Sequence, residues 1–229
     1  GAAGTLREFA PALPEQDRAE LLTTVLDESE RLNRFIANLL DMTKIESGAM
    51  EPNYAFHYVG DMVGSALQRA RKIIGEHKIE TDIPSDLPML KVDPVLFEQA
   101  LFNLLDNAAK YAPAGSTIRV QGWTDNGSVI LQLMDEGPGI PPGDLERIFD
   151  TFYRVRKRDQ VRAGTGLGLS MIYGFVKQSG GHVKIYSEEG HGTSIKIYLP
   201  RLIGDPLLES EENTSPTAVE ASGRRETIL

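Results

Sequence analysis

Residues 93–111 have the sequence DPVLFEQALFNLLDNAAKY. Asp93 followed by Pro94 is a typical helix start, because aspartate caps free backbone N–H groups and proline is favoured at the first helical position. Apolar residues then recur about one turn apart, which predicts a helix to about Tyr111 with one face in a core. That apolar face consists of Phe97, Leu101, Leu104 and Ala108.

A second face of the same helix is polar and carries Gln99, Asn103, Asn107 and Lys110. Asparagine is a poor helix former because its amide competes for backbone groups, so two of them one turn apart indicate that their oxygens are used. A side-chain carbonyl can serve Mg²⁺, which takes one or two protein oxygens beside phosphates and water. Lys110 would reach a phosphate as a point charge. A solvated polar face is the alternative.

A second motif, DEGPGI, occupies residues 135–140 at the end of a predicted strand. Its glycines permit a turn tight enough to approach a flat ligand. The Asp135 carboxylate can accept a hydrogen bond from an exocyclic amine such as that of adenine. A tight turn without a binding role is the alternative.

A third motif, GTGLGL, occupies residues 164–169 and opens a predicted helix. Successive backbone amides and a helix N-terminus suit phosphates. The motif lacks the Gly-Lys-Ser/Thr ending of a Walker loop and the preceding strand of a Rossmann fingerprint. A flexible solvated loop is the alternative. The residues before it are basic, with only Asp159 against Arg154, Arg156, Lys157, Arg158 and Arg162.

Composition limits the classes of protein. The 229 residues are 41% hydrophobic, enough for one or two ordinary cores, and they include no cysteine, which excludes disulfides and thiolate metal sites. The formal net charge of −9 disfavours a general nucleic-acid binder, so a bound polyanion needs a local reversal of charge such as the basic loop. No apolar run is long enough to span a membrane and no signal-peptide layout occurs, so we expect no membrane contact in this part of the protein.

The remaining pattern predicts an α+β fold. One hairpin joins residues 117–123 and 128–135 through an Asn-Gly turn, and a second joins residues 182–187 and 193–199. Short strands are predicted at about 55–59, 78–83 and 89–92, and helices at about 61–75, 142–152 and 168–179. Antiparallel hairpins with helices grouped around them favour a sandwich over a parallel doubly wound sheet.

The two ends of the chain differ from its middle. Residues 15–48 contain no proline and only the final glycine, and they carry apolar residues at helical spacing, namely Leu22, Val25, Leu32, Ile36 and Leu39. This stripe needs a partner, either the predicted helical segment at residues 5–10 or a second chain; a simple spacer hairpin is the alternative. Residues 203–229 are acidic and rich in Ser, Thr and Pro, which predicts a disordered linker.

The three motifs, in this order, resemble the catalytic domain of two-component sensor histidine kinases. Residues 103–111 resemble the N box of that family, residues 135–139 its first glycine box, residues 146–154 its F box, residues 164–168 its second glycine box, and residues 190–193 a third glycine motif. Residues 39–46 are similar to the second helix of the family's dimerisation domain, so the resemblance covers about residues 21–201. It implies a Bergerat-type ATP-binding sandwich at residues 51–202, after a partial dimerisation hairpin at residues 1–50 and before a linker at residues 203–229.

The resemblance also implies ATP and Mg²⁺ as ligands. Asn107 would bind Mg²⁺ with Asn103 assisting, Lys110 would act beside them, and the γ-phosphoryl group would pass to a histidine. Asp135 would bind the adenine amino group, and Arg154 would begin a lid over the phosphates. Further nucleotide-binding residues implied are Tyr111, Gly137, Gly139, Ile140, Phe152, Gly164, Thr165, Gly166, Leu167, Gly168, Leu169 and Thr193. In ATP-hydrolysing relatives a glutamate takes the place of Asn103, and an amide cannot remove a proton, which favours transfer over hydrolysis.

The sequence departs from the family at the phosphate acceptor. No His-Glu-Leu-Arg-type box occurs, and none of His57, His77, His182 and His191 falls on a predicted helix-pairing face. We expect the acceptor to precede Gly1, and residues 226–229 resemble the first strand of a receiver domain, as in hybrid kinases. The implied partners are a second copy, through the helical segment, and a response regulator or attached receiver domain, with a cytoplasmic location. A non-catalytic ATP-binding interaction module and an ATP-hydrolysing relative are the alternatives.

Overall fold

Two helices precede the sheet-containing part of the chain. The computed structural model describes residues 1–9, 12–46, 52–155 and 166–201. Helix α1 (Ala2–Phe9) packs against helix α2 (Glu15–Glu46), so the predicted long helix is confirmed as far as Glu46 and its last two predicted residues lie outside the described part. None of the helices described is both long and apolar enough to cross a membrane. Several apolar side chains of α2 are about half exposed, namely Leu22, Leu26, Leu32, Ile36 and Leu40.

The rest of the described chain is a layer of helices packed on one five-stranded sheet. The helices are α3 (Val59–Ile74), α4 (Pro94–Tyr111) and α5 (Gly168–Gln178). The strands are β2 (Lys78–Asp82), β4 (Thr117–Asp125), β5 (Ser128–Asp135), β6 (His182–Glu188) and β7 (Gly192–Pro200). Their order is β2-β4-β5-β7-β6, with β2 parallel to β4 and the other neighbours antiparallel. The predicted α+β sandwich is confirmed.

Two short strands, β1 (Ala55–His57) and β3 (Leu90–Val92), form a separate antiparallel pair. The sequence predicted both strands, but the hydrophobic pattern does not say that β3 leaves the main sheet to pair with β1. The two predicted hairpins are confirmed, and the first turns through Asn126 and Gly127, whose φ angles of 46° and 80° are those of the primed turn that joins twisted strands.

Helix α4 is the central element of the core. Its predicted apolar face is buried, with Phe97, Leu101, Leu104 and Ala108 each no more than 2% exposed. Burying a large apolar side chain stabilises the fold by about 1.5–3 kcal/mol. The opposing surface comes from every second residue of two central strands, including Val120 in β4 and Leu131 in β5. The polar face of α4 is thereby held in a fixed orientation at the edge of the core.

Helices α4 and α5 run antiparallel beside one another. The rings of Phe97 and Phe175 meet edge to face with centroids 6.1 Å apart. Further along, the Asn103 amide contacts the Met171 sulfur, with 3.7 Å between Nδ2 and Sδ. The C-terminal half of α4 therefore lies beside the N-terminal end of α5.

The prediction of a helix at residues 142–152 is wrong. The structure has a single 3-10 turn at Pro142–Asp144, followed by irregular turns. Phe152 has a φ of +64°, which no α-helix accommodates. Side chains hold the segment instead, because the Tyr153 hydroxyl donates to Asp144 and the Arg147 guanidinium lies 4.4 Å from the Tyr153 ring centroid.

Candidate functional site

A cleft opens where the C-terminal half of α4, the 135–140 loop and the N-terminus of α5 meet. The predicted site residues that line it are Asn103, Asn107, Lys110, Tyr111, Asp135, Gly139, Ile140, Arg154, Gly166, Gly168, Leu169 and Thr193. Motifs up to ninety residues apart in sequence are thus brought to one place.

The two asparagines of α4 have different surroundings. Asn103 is only 6% exposed, and its carbonyl oxygen lies 3.4 Å from the Gln99 amide nitrogen. Asn107 is half-buried, and within the described part of the chain its amide makes no hydrogen bond. Of the two, Asn107 has the carbonyl oxygen that is open to a ligand.

Asn107 also faces the start of α5. A Cβ atom placed on Gly168 would lie 3.4 Å from the Asn107 amide nitrogen, so helix α4 and the start of α5 approach each other closely. Gly168 is the first residue of α5, where backbone N–H groups lack helical partners and the helix dipole is positive. The Asn107 amide oxygen, which could bind a cation, and a helix end that attracts anions therefore lie side by side in the cleft.

Lys110 supplies a cation one turn beyond Asp106 on the same helix. Its ammonium group makes an ion pair with Asp106, and the two side chains are 35% and 17% exposed. Asp106 lines the cleft and was missed in the sequence, since an acid between two asparagines on a helix has no distinctive spacing. The ion pair holds the Lys110 ammonium beside the cleft.

Asp135 also lines the cleft, from the last position of β5. Burial raises the pKa of its carboxyl group above the ordinary value, and hydrogen bonds from the backbone N–H groups of Gly137 and Thr193 partly offset this by stabilising the carboxylate. The Gly137 N–H donates to Oδ1 at 2.8 Å. Gly137 does not line the cleft but positions the acid that does.

The 135–140 loop is supported by the β6–β7 turn. The Ser187 hydroxyl accepts a hydrogen bond from the Ile140 N–H at 2.8 Å and donates to the Gly192 carbonyl oxygen at 2.9 Å. The Gly190 N–H donates to the Pro138 carbonyl oxygen at 2.9 Å. Ser187 was missed in the sequence, because a serine within a strand carries no signal until its partner is known.

Gly139 is required by close packing as well as by conformation. Its φ is +69°, and a Cβ there would lie 1.9 Å from the Glu188 carbonyl oxygen. The sequence interpretation gave the glycine a role in approaching a ligand. In the structure it also allows the loop backbone to lie directly against the end of β6.

Phe152 and Gly166, which lie on either side of residues 153–165, contact each other directly. The Phe152 N–H donates to the Gly166 carbonyl oxygen at 3.0 Å, and a Cβ on Gly166 would lie 2.7 Å from the Phe152 carbonyl carbon. Phe152 is 54% exposed and does not line the cleft, and Leu167 is fully buried. Gly164, Thr165 and the basic residues from Arg156 to Arg162 lie outside the described residues.

The cleft also has an apolar lining, made of residues that were not predicted as site residues. It consists of Leu104, Ala108, Leu133, Pro138, Ile148, Tyr153, Val155 and Ile195. Leu133 and Ile195 could have been found from the strand alternation, because both face the helices. The cleft therefore combines apolar side chains with a carboxylate, an amide, an ammonium group and a helix N-terminus.

Within the described ranges, no three His, Cys, Asp or Glu side chains are grouped so that they could hold a metal ion. A divalent cation at Asn107 would need phosphate oxygens and water to complete its coordination.

Comparisons with known proteins agree with the geometry. Residues 92–203 match the family described as histidine kinase-, DNA gyrase B-, and HSP90-like ATPase. The chain is 35% identical to the sensor protein KdpD of Clostridium acetobutylicum over 88% of its own length and 22% of KdpD. It is 32% identical to the signal transduction histidine-protein kinase ArlS of Staphylococcus aureus over 78% of its length and 40% of ArlS. The chain thus spans about a fifth of the length of the KdpD relatives.

Solved structures give the same result. The mycobacterial sensor histidine kinase MprB superposes with a TM-score of 0.58 at 28% identity, covering 65% of this chain and 97% of that chain.

Proposed function

We propose that the chain contains a domain of the histidine kinase-, DNA gyrase B- and HSP90-like ATPase family, of the sensor histidine kinase type, and that its cleft binds Mg²⁺-ATP and donates the γ-phosphoryl group to a histidine in two-component signalling. The observation that carries the proposal is the close approach of the Asn107 amide, which makes no hydrogen bond within the described residues, to the N-terminus of α5, in a cleft that Asp135 also lines. An adenine ring and a triphosphate need these two kinds of surroundings at the two ends of one cleft.

We assign the adenine end to Asp135. Its ionised carboxylate would accept a hydrogen bond from the adenine amino group, while Gly137 and Thr193 hold it in place. The apolar side chains of Leu133 and Ile195 would lie against the ring. This arrangement favours a base with an exocyclic amine over one with a carbonyl at the same position, because two acceptors repel.

We assign the phosphate end to Asn107, Lys110 and the start of α5. Mg²⁺ held by the Asn107 oxygen would neutralise charge on the phosphates. The Gly166 and Gly168 backbones would approach the phosphates, and Lys110 would turn from Asp106 towards them. Leu169, Tyr111, Arg154 and Ile140 would complete the enclosure. Phe152, Leu167, Gly164 and Thr165 remain predicted nucleotide-binding residues.

The transfer step needs positioning more than covalent help from the protein. A neutral histidine nitrogen would attack the γ-phosphorus and form a bond to it. The bond between the γ-phosphorus and the β–γ bridging oxygen would break at the same time, and ADP would leave with the electron pair of that bond. The protein's part is to hold the phosphates in line and to exclude water.

Hydrolysis is disfavoured by the surroundings of Asn103. An amide cannot take a proton from water, and the Asn103 oxygen already faces Gln99 in a site that is only 6% exposed. This supports phosphoryl transfer to a protein over the ATP-hydrolysing alternative. The non-catalytic alternative requires that ATP binds without transfer, and the test below separates the two.

We further propose the domain organisation and partners that this activity requires. Residues 1–50 would be part of a dimerisation hairpin, residues 51–202 the catalytic domain and residues 203–229 an acidic linker. The half-exposed apolar stripe of α2 supports a homodimer through that helix. A response regulator or attached receiver domain would take the phosphoryl group from the histidine. Because the ATP used by the protein is in the cytoplasm, this part of the protein would be cytoplasmic as well.

Labelling with γ-labelled ATP tests the proposal. With Mg²⁺, we expect the chain to transfer labelled phosphate to a histidine of an added dimerisation domain, and none of its own four histidines to be labelled. Asn107→Ala should abolish labelling, whereas Asn33→Ala, the same change at an exposed position of α2, should not. Labelling of His57, His77, His182 or His191, or release of free phosphate in place of transfer, would contradict the proposal.

A further inference from the structure

The segment that follows α2 is hydrogen-bonded to the far ends of both helices that line the cleft. We propose that Asn53 and Tyr54, here called the connecting segment, are coupled to the nucleotide cleft, with Asp93 and Tyr54 as positioning residues. The inference rests on the proposed function, since it concerns regulation of the same cleft.

The first link uses both oxygens of one buried carboxylate. Oδ1 of Asp93 caps α4 by accepting from the N–H groups of Val95 and Leu96 at 2.9 and 3.1 Å. Oδ2 accepts from the Asn53 N–H at 2.9 Å. Asp93 is only 9% exposed, so little water competes for these bonds. A helix cap needs one oxygen, and here the second oxygen holds the connecting segment.

The second link reaches α5. The Tyr54 hydroxyl donates to the backbone carbonyl oxygen of Gln178, the last residue of α5, at 2.9 Å. Carbonyl groups in the last turn of a helix have no partner within the helix, so this hydroxyl satisfies one of them. Helix α2 itself also packs against α5.

The opposite ends of the same helices form the phosphate end of the cleft. Asn107 lies about 20 Å along α4 from Asp93, and Gly168 lies about 15 Å along α5 from Gln178, at 1.5 Å per residue. Between these ends the helices are joined by the Phe97–Phe175 and Asn103–Met171 contacts. The packed pair of helices α4 and α5 therefore extends from the connecting segment to the cleft.

The links bear on the separation of Asn107 from Gly168. Because two consecutive residues hold both helices, a shift of the connecting segment acts on α4 and α5 together and would change the close approach at their other ends. Coupling between two sites is reciprocal. A nucleotide that fixes the approach of Asn107 to Gly168 must therefore also restrain Asn53 and Tyr54, whereas a link that served stability alone would not respond to nucleotide.

Two variants break the links separately. In Asp93→Asn the amide oxygen can still cap α4, because asparagine caps as well as aspartate, but the amide nitrogen that then faces Asn53 cannot accept. Tyr54→Phe removes only the second hydrogen bond. The matched controls are Asp86→Asn in an exposed turn and Tyr58→Phe, whose side chain is 56% exposed.

Exchange of the Asn53 amide hydrogen, followed by NMR with and without Mg²⁺-ADP, measures the coupling. The reference is the Arg201 amide, which donates to the Gly127 carbonyl oxygen at the distant end of the sheet. We expect saturating ADP to slow exchange at Asn53 by about fivefold more than at Arg201, the lower range of coupling between sites. By reciprocity, Asp93→Asn and Tyr54→Phe should each weaken ADP binding about fivefold, and the controls should bind as the wild type does.

The outcomes distinguish the inference from the function on which it rests. If ADP binds the wild type but Asn53 responds no more than Arg201, or if both variants bind ADP normally, the coupling is refuted and the proposed function stands. If ADP does not bind the wild type, the proposed function fails and the coupling fails with it. If Asp93→Asn does not fold, the Asn53 exchange and Tyr54→Phe decide the question.

Discussion

Asp135 is partly buried at a cost to stability, which is typical of a residue that is retained for binding. Burial raises the pKa of its carboxyl group, and the N–H groups of Gly137 and Thr193 only partly offset the cost of the charge. The sequence predicted Asp135 from its place between a strand and a glycine pair. It could not predict this cost, which depends on how deeply the end of β5 is covered.

Asp135→Asn should therefore separate stability from binding. Above the raised pKa we expect the free energy of unfolding to stay equal or rise, because the partly buried charge is gone. The folded-state pKa lies above the ordinary 3.8, so the wild type loses stability as pH rises from that value through the raised one. The variant lacks this loss, and its advantage should be absent at low pH and complete above the raised pKa.

Nucleotide affinity should change in the opposite direction. Loss of a charged acceptor costs about 1.5–3 kcal/mol, which is about a tenfold to hundredfold weaker binding. Urea unfolding across pH and ATP calorimetry measure the two effects, with Asp82→Asn at an exposed strand end as control. A variant that is less stable above the raised pKa, or that binds ATP normally, would contradict this account of Asp135.

Asn103 and Asn107 show what a helical spacing alone can and cannot predict about a site. Their spacing predicted that both amides lie on one face, and both do line the cleft. Their different access depends on α5, which places Met171 against one and Gly168 against the other. That contact joins residues far apart in sequence, so no local pattern contains it.

Among the elements, the 135–140 loop and the β6–β7 turn act as one unit. The loop contributes the cleft residues, and the turn fixes them through Ser187 and Gly190. The third glycine motif, at residues 190–193, is thereby given a physical role as the support beneath the first glycine motif.

Gly139→Ala should disrupt this unit. The added Cβ would lie 1.9 Å from the Glu188 carbonyl oxygen in a backbone with φ of +69°. We expect a loss of unfolding free energy on the order of 2 kcal/mol or more, together with weaker ATP binding, measured by urea unfolding and calorimetry. Gly143→Ala, where a Cβ would meet nothing within 4 Å, is the control and should be nearly neutral. Equal stabilities of the two variants would refute the role of close packing.

The elements differ in how well the sequence predicts them. Helix α4 was predicted from end to end because its cap, first proline and apolar period agree. The segment at residues 142–152 has apolar residues at a helical spacing too, but a positive φ at Phe152 and the Tyr153–Asp144 hydrogen bond determine its shape. These contacts are tertiary, and they outweigh a weak local preference.

At the scale of the whole molecule, α2 stands apart from the sandwich in its exposure. Leu32 and Ile36 are 57% and 46% exposed, whereas the apolar face of α4 is buried. An apolar stripe of this kind is stable when a second helix covers it. This is the basis for a dimer through α2.

Sedimentation velocity tests the dimer. The wild type should show a monomer–dimer equilibrium that depends on concentration, and Leu32→Glu with Ile36→Glu should shift it to monomer, since glutamate preserves helix propensity but not apolar burial. Asn33→Glu, at a neighbouring exposed position, should leave the dimer largely intact. A wild type that is monomeric at every concentration would contradict the proposed dimer.

The whole molecule is acidic, with a net charge of −9, yet its cleft presents Lys110 and the N-terminus of α5 to a polyanion. Calorimetric titration of ATP, with and without Mg²⁺, into the wild type, Asn107→Ala and Asn33→Ala tests this most directly. We predict Mg²⁺-dependent binding that Asn107→Ala weakens at least about tenfold, or about 1.4 kcal/mol, and that Asn33→Ala leaves unchanged. The absence of ATP binding, or binding that is indifferent to Asn107, would contradict the assignment of this cleft.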